Sequence, residues 1–463
     1  MDNRGYEACK QWLKGKNVTV MGLGLLGRGV GDVAFFAEHA AHVIVTDVKT
    51  EAQLKTSIDQ LKQYLNITYR LSGHVVEDFI SADIVCKGAG VPLNSPYIEA
   101  ARNAGKEVVM SSAVFARFAV MSGARIVGVT GTRGKTTAAY LIHHVLKERS
   151  IPVRLGGNIL GVSTIQFLKD IVFGEVFVLE LDSWQLQGFG DWKISPHIAV
   201  FTTFLEDHQN YYKDKPQQYL ADKANIFLWQ DVHDVLILGP QCAGLISETY
   251  KRRINGRLVL SKDIPEGNFS LKLIGKHNIY NAAIAQNVLK ELGITVEESN
   301  EAVASFVGVP GRLEVVSKEK VDSTDKVRVW VNDTTATTPD ALFVGITGLI
   351  ESGHGNIVLI AGGADKELGL GKALEALKMA KVCILLPGTG TNRLKLELAT
   401  SGLPYVEVSD MHEAVLLAQK TALETGADAV LMSPGFASFG LFKNEYDRGD
   451  TFVSEVKKLQ HQS

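Results

Sequence analysis

Short apolar runs rich in β-branched residues alternate along this chain with segments of helical length. The pattern begins with a strand at 17–22, a glycine-containing turn, a helix to about residue 39 and a second strand at 42–47. Such alternation is typical of α/β domains, in which helices connect parallel strands. The same pattern predicts strands at 82–88, 106–111, 125–131, 177–182, 198–204, 234–239, 327–333, 356–363, 381–388 and 429–435, and helices at 135–149 and 278–292.

The length of the chain predicts more than one domain, because 463 residues are too many for a single hydrophobic core. A new strand–turn–helix unit begins at 125–131, and a stretch with glycine and proline, VGVPGRLE at 307–314, interrupts the pattern. We therefore expect three α/β domains, at 1–121, 122–308 and 309–463.

Composition limits the classes of function. Hydrophobic residues make up 46% of the chain and charged residues 21%, as in an ordinary globular protein. A formal net charge of -3 argues against a nucleic-acid-binding protein, whose domain normally carries a basic face. The four cysteines lack a C-x-x-C spacing, so we expect reduced, buried thiols. No export signal and no apolar run of about 18 residues is present, so we expect a cytoplasmic protein that does not bind a membrane.

A first glycine turn, GLGLLG at 22–27, follows a predicted strand and precedes a predicted helix. Asp47 ends the next strand, 20 residues after Gly27. In this context the glycines permit a tight turn with close backbone approach, and the helix N-terminus favours an anion. Three interpretations remain open: a purely structural turn, the NAD site of an oxidoreductase, and a site for the diphosphate of a UDP-sugar.

A second glycine loop, GVTGTRGKTT at 128–137, also lies between a strand and a helix. Its glycines are three residues apart, which differs from the common phosphate loop G-x-x-x-x-G-K-[ST]. Backbone N–H groups at such a helix start can surround phosphate oxygens, Lys135 can neutralise the β- and γ-phosphates, and Thr136 can hold Mg²⁺. A lysine in the first helical turn opposes the helix dipole. A bound anion therefore explains it better than an exposed helix start.

Segments along nearly the whole chain resemble, in order, the motifs of the Mur ligase family. The last of them is most similar to that of the D-glutamate-adding member. The segments are GVTGTRGKTT, ELDSWQL (180–186), FLEDHQNYY (204–212), ADKANIF (221–227), GKHNIYNAAIA (275–285), GVPGRLEVV (308–316), VNDTTATTPDA (331–341) and SPGFASFGLFKNEYDRGDTF (433–452).

This resemblance implies an architecture and an activity. The expected architecture is a Rossmann-like N-terminal domain for a UDP-sugar, a central P-loop ATPase-like domain, and a Rossmann-like C-terminal domain for the amino acid. The expected activity is ATP-dependent amide formation through an acyl phosphate, which joins D-glutamate to UDP-N-acetylmuramoyl-L-alanine in peptidoglycan precursor synthesis. The expected enzyme is a monomer that uses ATP and Mg²⁺.

The resemblance also implies a phosphate and metal site. Lys135 and Thr136 would serve the ATP phosphates and one Mg²⁺, with Glu180, His208 and Lys223 as further metal ligands. Histidine is an unusual ligand for a hard cation, and a structural histidine is an equal interpretation of His208 on sequence alone. Lys223 matches the family's carbamylated lysine. An ammonium repels Mg²⁺ whereas a carbamate offers anionic oxygens; without the motif, a surface lysine would be the simpler interpretation.

The remaining site residues follow from the same resemblance. Arg312, which sequence alone would also allow as a surface pair with Glu314, matches a phosphate contact. The ATP set comprises Gly131, Thr132, Gly134, Lys135, Thr136, Thr137, Asn281 (adenine), Arg312 (phosphate) and Asp333 (ribose). The sugar-nucleotide set comprises Gly24, Leu25, Asp47, Lys49 and Asn158, and the amino-acid set comprises Thr337, Lys366, Ser438 and Phe439.

Several positions depart from the family pattern. Asp182 replaces a serine, and it either tunes Mg²⁺ binding or faces solvent. Thr335 replaces a lysine near the reacting carboxylates. Glu445 stands where an aromatic residue is usual, and an inward-pointing carboxylate there would repel the D-glutamate side chain. In the first domain, Lys87-Gly88-Ala89-Gly90 replaces a frequent S-P-G loop.

Three alternatives remain open, of which the departures at Thr335, Glu445 and Asp182 motivate the first. The first is a Mur-type ligase that adds a different amino acid. The second is an NAD-dependent oxidoreductase, which leaves the loop at 128–137 unexplained. The third is a nucleotide-binding module without catalysis, which the joint presence of Lys135, Thr136, Glu180, His208 and Lys223 disfavours.

Overall fold

The computed structural model describes residues 3–25, 27–92, 94–205, 209–212, 215–261, 273–275, 277–320 and 327–460. The chain divides into two compact units. The first comprises Met1–Asn268 with Tyr280–Val303, and the second comprises Phe269–Ile279 with Ala304–Ser463. Among the described residues, every helix is too short or too polar to span a bilayer.

The first unit begins with a parallel sheet, here sheet 1, in the order β3-β2-β1-β4-β5. This order is that of a dinucleotide-binding fold, whose ligand crevice lies at the carboxyl ends of the strands where the order reverses. The glycine turn at 22–27 follows β1 at that point. The strands are β1 Asn17–Met21, β2 His42–Asp47, β3 Ile67–Leu71, β4 Ile84–Lys87 and β5 Glu107–Val109; the helices are α1 Arg4–Leu13, α2 Arg28–His39, α3 Glu51–Asp59, α4 Val76–Ile80, α5 Pro96–Asn103 and α6 Ser111–Ala119.

Sheet 2, also in the first unit, is fully parallel in the order β11-β10-β9-β6-β8-β7. The loop at 128–137 joins its β6 to α7. The strands are β6 Arg125–Thr130, β7 Val153–Gly157, β8 Val176–Glu180, β9 Ile198–Phe201, β10 Val235–Leu238 and β11 Arg257–Leu260; the helices are α7 Lys135–Glu148, α8 Ser183–Trp192, α9 Gln209–Tyr212, α10 Pro216–Ala224, α11 Pro240–Tyr250, α12 His277–Glu291 and α13 Val296–Ser305.

Sheet 3 forms the second unit in the order β12-β13-β17-β14-β15-β16. Only β12 runs antiparallel to its neighbour among the described strand pairs of this sheet. The strands are β12 Glu314–Lys320, β13 Val327–Asn332, β14 Ile357–Ala361, β15 Val382–Leu385, β16 Tyr405–Glu407 and β17 Ala429–Met432; the helices are α14 Pro339–Glu351, α15 Gly371–Met379, α16 Thr389–Ser401, α17 Met411–Thr425 and α18 Glu445–Gln460.

Sheets 1 and 2 share one hydrophobic core. Phe115 on α6 packs against Phe177 on β8, with ring centroids 4.9 Å apart. Burial of large aromatic side chains between the sheets stabilises their arrangement. The glycine turn of sheet 1 and the phosphate loop of sheet 2 are therefore held within one compact unit.

The predicted α/β class is confirmed, and each predicted strand and helix is present within a few residues of its expected bounds. Three sheets are found where three domains were expected. The domain boundaries at 121 and 308 stay predictions, because sheets 1 and 2 belong to a single compact unit.

Candidate active site

The loop after β6 is shaped by two glycines in the left-handed region. Gly131 has φ 142° and Gly134 has φ 85°. A Cβ atom at Gly131 would lie 2.0 Å from Thr202 Oγ1, and one at Gly134 would lie 2.4 Å from Asn281 Oδ1. Both the conformation and the space therefore require glycine. Gly134 is the N-cap of α7 and provides no side-chain cap, so the first N–H groups of that helix can face an anion.

Two threonines at the end of β9 fix this loop. The N–H of Thr132 donates to the Thr203 carbonyl (2.7 Å), and the N–H of Arg133 donates to Thr203 Oγ1 (2.9 Å). Thr202 Oγ1 donates to the Arg133 carbonyl (2.5 Å). Thr202 and Thr203 are not among the residues predicted from sequence. Their position at the end of a predicted strand was the available signal, because neighbouring parallel strands end at the same edge.

Two lysines converge on one carbonyl of the loop. Lys135 Nζ donates to Gly131 O (3.0 Å) and to Thr132 O (3.1 Å), and Lys223 Nζ from α10 donates to Gly131 O (2.8 Å). The two ammonium groups therefore lie within about 6 Å of each other, where like charges repel. Lys223 is 1% exposed, which makes its charge costly. A bound phosphate, or loss of the positive charge on Lys223, would relieve this repulsion.

Glu180 ends β8 beside the loop. It pairs in register with Val129 of β6 on one side and with Gly157 of β7 on the other. Its side chain is 3% exposed, and Oε2 finds no hydrogen-bond partner within the described part of the chain. A buried carboxylate oxygen without a partner is unfavourable unless a cation or donor approaches it.

These residues fit a Mg²⁺ ion. Mg²⁺ is usually held by one or two carboxylates together with substrate phosphates, and Glu180 provides one such carboxylate at the edge where the phosphate loop lies. No cluster of three His, Cys, Asp or Glu side chains is found in the described ranges. His208, a further predicted ligand, lies outside the described residues.

Glu180 also connects the loop to Asn158. The N–H of Asn158, directly after β7, donates to the Glu180 carbonyl (2.7 Å). The side chain of Asn158 contacts the start of α2, where its Oδ1 accepts a hydrogen bond from Arg28 Nη2 (2.9 Å). A continuous run of contacts therefore leads from the phosphate loop to the glycine turn of sheet 1.

Asp47 organises that glycine turn. Its Oδ2 accepts from the N–H groups of Leu23 (3.0 Å) and Gly24 (3.2 Å), and its Oδ1 accepts from Lys49 N (3.0 Å). In an NAD site the acid at this position binds a ribose hydroxyl, whereas here the backbone occupies both oxygens and the side chain is 3% exposed. The geometry disfavours the oxidoreductase interpretation. Leu25 is exposed on the same turn.

The loop that replaces S-P-G is closed by a buried lysine. Lys87 is 2% exposed and donates from Nζ to the Val91 carbonyl (2.9 Å). Burial lowers the pKa of Lys87 to about 8, and the charges of Asp182 and Asp191 oppose that shift. This hydrogen bond therefore stabilises the conformation of the loop that follows Lys87.

Of the two roles considered from sequence for Asp182, the solvent-facing one is wrong and the effect on Mg²⁺ stays a prediction. Asp182 is the N-cap of α8, where Oδ1 accepts from Gln185 N (2.7 Å) while the Gln185 side chain accepts from the Asp182 N–H (3.3 Å). This reciprocal capping box is buried, so the side chain does not face solvent. Serine is an equally good N-cap, which explains why the family serine can be exchanged for aspartate.

We expect Asp182→Ser to keep the melting temperature and the Mg²⁺ dependence of turnover, because serine also caps a helix. Asp182→Ala should lower the stability by about 1 kcal/mol and the melting temperature by about 2–4 °C. Thermal unfolding together with a Mg²⁺ titration of turnover checks both variants. A changed Mg²⁺ requirement in Asp182→Ser would show that the carboxylate acts on the metal.

In the second unit, Arg312 projects from a strained turn. Leu313 has φ 46°, an uncommon value for a residue with a side chain. The turn is fastened by Asp333, whose Oδ1 accepts from Leu313 N (3.2 Å) and whose Oδ2 accepts from Ser433 Oγ (2.8 Å). Asp333 therefore positions the turn that exposes Arg312. Its predicted contact with ribose stays a prediction.

Asp333 should make the stability of this unit depend on pH. Burial raises the pKa of Asp333 to about 7, against the opposing effects of Ser433, the Leu313 N–H and Arg312. The folded state then binds a proton that the unfolded state loses near pH 4, so stability falls as pH rises from about 4 to about 7.

Asp333→Asn should remove this component of about 2–4 kcal/mol while leaving all other titrations in place. Urea unfolding of both proteins at pH 5 and pH 8 measures it as a difference between the two pH dependences. Equal pH dependences would show that Asp333 does not carry the effect.

Two predicted amino-acid residues lie together in the second unit. Lys366 Nζ donates to Thr337 Oγ1 (2.8 Å). Both side chains line a small cleft with Pro339, Leu370 and Phe436. A cation with a hydroxyl beside it is suited to binding a carboxylate. Of the other two predicted residues, Ser438 is buried and Phe439 is exposed.

The two departures in this unit have structural explanations. Thr335 donates from its N–H (3.1 Å) and from Oγ1 (3.0 Å) to the Gly311 carbonyl, so it supports the Arg312 turn. Glu445 is the first residue of α18, where a carboxylate is favourable to the helix dipole. Its carbonyl accepts from Thr334 Oγ1 (2.6 Å).

Arg448 is a supporting residue that the sequence analysis missed. It is 1% exposed and donates to the carbonyls of Thr334 (2.9 Å) and Phe436 (3.1 Å). Burial lowers its pKa to about 10, with the charge of Glu445 opposing. Arg448 thereby joins α18 to two loops that carry predicted amino-acid residues.

Two family models match segments of this chain that contain many of these residues. A family model for the Mur ligase middle domain matches residues 129–254, and a model for the Mur ligase MurD-like N-terminal domain matches residues 16–110. Among curated relatives, the UDP-N-acetylmuramoylalanine–D-glutamate ligase of Borreliella burgdorferi (strain ZS7) is 33% identical over 96% of this chain and 99% of its own. The enzyme of the same name from Roseiflexus sp. (strain RS-1) is 34% identical over the same shares.

Solved structures share the fold at lower identity. The UDP-N-acetylmuramate-alanine ligase MurC from Thermotoga maritima has a TM-score of 0.58 and 18% identity, and covers 96% of this chain and 100% of its own. MurF from Acinetobacter baumannii has a TM-score of 0.58 and 14% identity, with shares of 91% and 92%. At these identities the likeness concerns the fold alone.

Proposed function

This chain belongs to the Mur ligase family, and from that premise we propose that it is an ATP-dependent ligase that joins D-glutamate to UDP-N-acetylmuramoyl-L-alanine in peptidoglycan precursor synthesis. The curated relatives that match nearly its full length carry the name of this activity. We further propose that it acts in the cytoplasm as a monomer on these small-molecule substrates.

The run of contacts in the first unit is the observation that supports the proposal best. It joins the phosphate loop to Glu180, Glu180 to Asn158, and Asn158 to Arg28 beside the glycine turn. A ligase of this kind must bring a carboxylate on the sugar nucleotide to the γ-phosphate of ATP. An oxidoreductase would have no use for the second phosphate loop.

The first chemical step forms a bond between the alanyl carboxylate and the γ-phosphorus of ATP, and ADP leaves. Charge develops on the phosphate oxygens, so positioning and nearby cations should provide most of the rate enhancement. We assign this stabilisation to Thr132, Lys135 and Thr137 of the loop at 128–137 and to the N-terminus of α7. Glu180, Thr136, His208 and a carbamylated Lys223 would hold Mg²⁺, which supplies further positive charge when bound.

In the second step the neutral amine of D-glutamate attacks the acyl phosphate carbon, and inorganic phosphate leaves from the tetrahedral intermediate. We assign the side-chain carboxylate of D-glutamate to Lys366 and Thr337, whose donors are adjacent. Ser438 and Phe439 are further amino-acid contacts in this proposal. Asn281, Arg312 and Asp333 would complete the ATP site at the adenine, phosphate and ribose.

The sugar nucleotide is assigned to the turn after β1. Gly24 and Leu25 would line the diphosphate there, Asp47 and Lys49 lie at the uracil position of the family, and Asn158 would face the reacting end. The positive φ values of Gly22, Gly24 and Gly27 open the turn for a diphosphate.

A ligase for a different amino acid is the second candidate. Thr335 takes the place of a lysine, and Glu445 adds a carboxylate next to the predicted amino-acid residues. Both changes lower the positive charge available to a dicarboxylic amino acid.

A phosphate-release assay separates the candidates. ATP, Mg²⁺ and UDP-N-acetylmuramoyl-L-alanine are supplied with D-glutamate, L-glutamate, or other amino acids, and the product mass is measured. Release with D-glutamate and the mass of its adduct support the proposal. Release with another amino acid alone would replace the substrate but keep the mechanism, and no release with any of them would refute the activity.

A further inference from the structure

Arg28 lies where α2, the helix after β1 of sheet 1, contacts the loop after β7 of sheet 2. It is the first residue of α2, directly after the glycine turn. Its Nη2 atom donates to Oδ1 of Asn158, in the loop after β7 of sheet 2 (2.9 Å). Arg28 therefore contacts both the element proposed to hold the sugar nucleotide and the residue proposed to face the reacting carboxylate.

Close packing fixes this position. A Cβ atom at Gly31 would lie 2.4 Å from Ser163 Cβ, so α2 touches the loop after β7 directly. Asp32 accepts hydrogen bonds from Ser111 Oγ (2.6 Å) and Ser163 Oγ (2.6 Å), and Gln166 Nε2 donates to the Gly31 carbonyl (2.6 Å). These hydrogen bonds on the next turn of α2 hold the backbone of Arg28 beside the loop that carries Asn158.

The guanidinium has donor capacity that the protein does not use. Arginine carries five N–H donors in a planar group. The Nε atom of Arg28 is buried and finds no hydrogen-bond partner among the described residues. A buried cationic donor left unpaired is costly, and an anionic ligand with several acceptor oxygens would satisfy it.

We propose that Arg28 binds the diphosphate of the sugar nucleotide and, through the same guanidinium, holds Asn158 at the reacting end of that substrate. This inference rests on the proposed function. It adds a substrate-binding and positioning residue to the set that the family motifs imply, and it gives the carboxamide of Asn158 a fixed orientation.

Isothermal titration of UDP-N-acetylmuramoyl-L-alanine into the protein without ATP tests the binding role. Arg28→Gln should raise the Kd by about 10- to 100-fold, the loss expected for charge-assisted hydrogen bonds. Arg28→Lys should recover part of the affinity, because it keeps the charge but not the planar donors. The KM for ATP should stay within about twofold of wild type in both variants.

Arg149→Gln is the matched control. Arg149 is a partly exposed arginine of the same unit that pairs with Glu298 (3.0 Å), so its loss should leave the Kd unchanged. Arg28→Gln is also made in an Asn158→Ala background. A further rise in Kd there shows that Arg28 contacts the substrate itself, and an unchanged Kd would overturn the direct contact.

The outcomes distinguish this inference from the proposed function. Wild-type protein that binds the sugar nucleotide, with an Arg28→Gln variant of equal affinity, would overturn the role of Arg28 and leave the ligase intact. Wild-type protein that neither binds the sugar nucleotide nor releases phosphate would overturn the ligase, and the role of Arg28 with it.

Discussion

Lys223→Ala is expected to lower kcat of the ligase reaction by about 1,000-fold or more, the scale seen when a preorganised stabilising group is removed. Lys223 is 1% exposed and lies 2.8 Å from the Gly131 carbonyl, which Lys135 also contacts. Carbon dioxide addition to its neutral amine would replace a buried positive charge beside Lys135 with an anionic carbamate that can serve the metal. Loss of this side chain therefore removes the proposed metal ligand without changing the loop glycines.

Steady-state kinetics and isotope labelling check this prediction together. Protein equilibrated with carbon-13 bicarbonate should show a carbamate carbon signal that disappears in Lys223→Ala. Lys215→Ala is the control, because Lys215 is exposed at the N-cap of the same helix, α10. Retention of more than about a tenth of wild-type kcat in Lys223→Ala would contradict the assigned role.

Glu180→Gln is expected to lower kcat by about 100- to 1,000-fold while the apo protein becomes more stable. Glu180 lies at the end of β8, between β6 and β7, and its buried Oε2 lacks a partner in the described residues. Glutamine keeps the shape but removes the charge, so about 1 kcal/mol of stability should be gained. The loss of activity and the gain of stability have the same cause, because the substitution removes a buried carboxylate that is proposed to bind Mg²⁺.

Thermal unfolding without Mg²⁺ and a Mg²⁺ titration of turnover measure the two effects. The variant should need more Mg²⁺ for half-maximal rate, and its affinity for ATP without Mg²⁺ should be unchanged. Glu148→Gln, at the exposed end of α7, should alter neither quantity. A variant with normal Mg²⁺ dependence would show that Glu180 does not contact the metal.

The sequence predicted the central strands and the edge strand β5 but missed most other strands at the sheet edges. β8 and β14 are buried on both faces, so they form continuous apolar runs that can be recognised without a structure. The missed strands β3, β11, β12 and β16 each end a sheet and keep exposed or half-buried positions. Their pairing is decided by a neighbour that is distant in sequence, so their own residues carry a weaker pattern.

For the site, the sequence indicated residues that lie in recognisable motifs and missed those that act by position. Lys135, Lys223, Glu180 and Asn158 lie along one run of contacts in the first unit. Thr202, Thr203 and Arg448 hold backbone carbonyls or N–H groups of distant segments, and Arg28 becomes relevant only because α2 packs on the loop after β7. Such contacts depend on the tertiary structure and leave no local pattern.

Asp182 is a residue within a recognised motif whose structural role was not predicted from sequence. Its departure from the family serine suggested an effect on Mg²⁺ or a solvent-facing position, and the buried helix cap excludes the second of these. Both residues satisfy the N–H groups of α8, so the exchange changes the charge but preserves the local structure.

Transfer of oxygen-18 tests the central claim of an acyl phosphate intermediate most directly. UDP-N-acetylmuramoyl-L-alanine labelled in both oxygens of the alanyl carboxylate is incubated with ATP, Mg²⁺ and D-glutamate, and the released phosphate and the product are analysed by mass. Because that carboxylate attacks the γ-phosphorus, the account predicts one labelled oxygen in each phosphate and the other in the new amide. Phosphate released without the label would contradict the account, since the carboxylate would then never have been bonded to phosphorus.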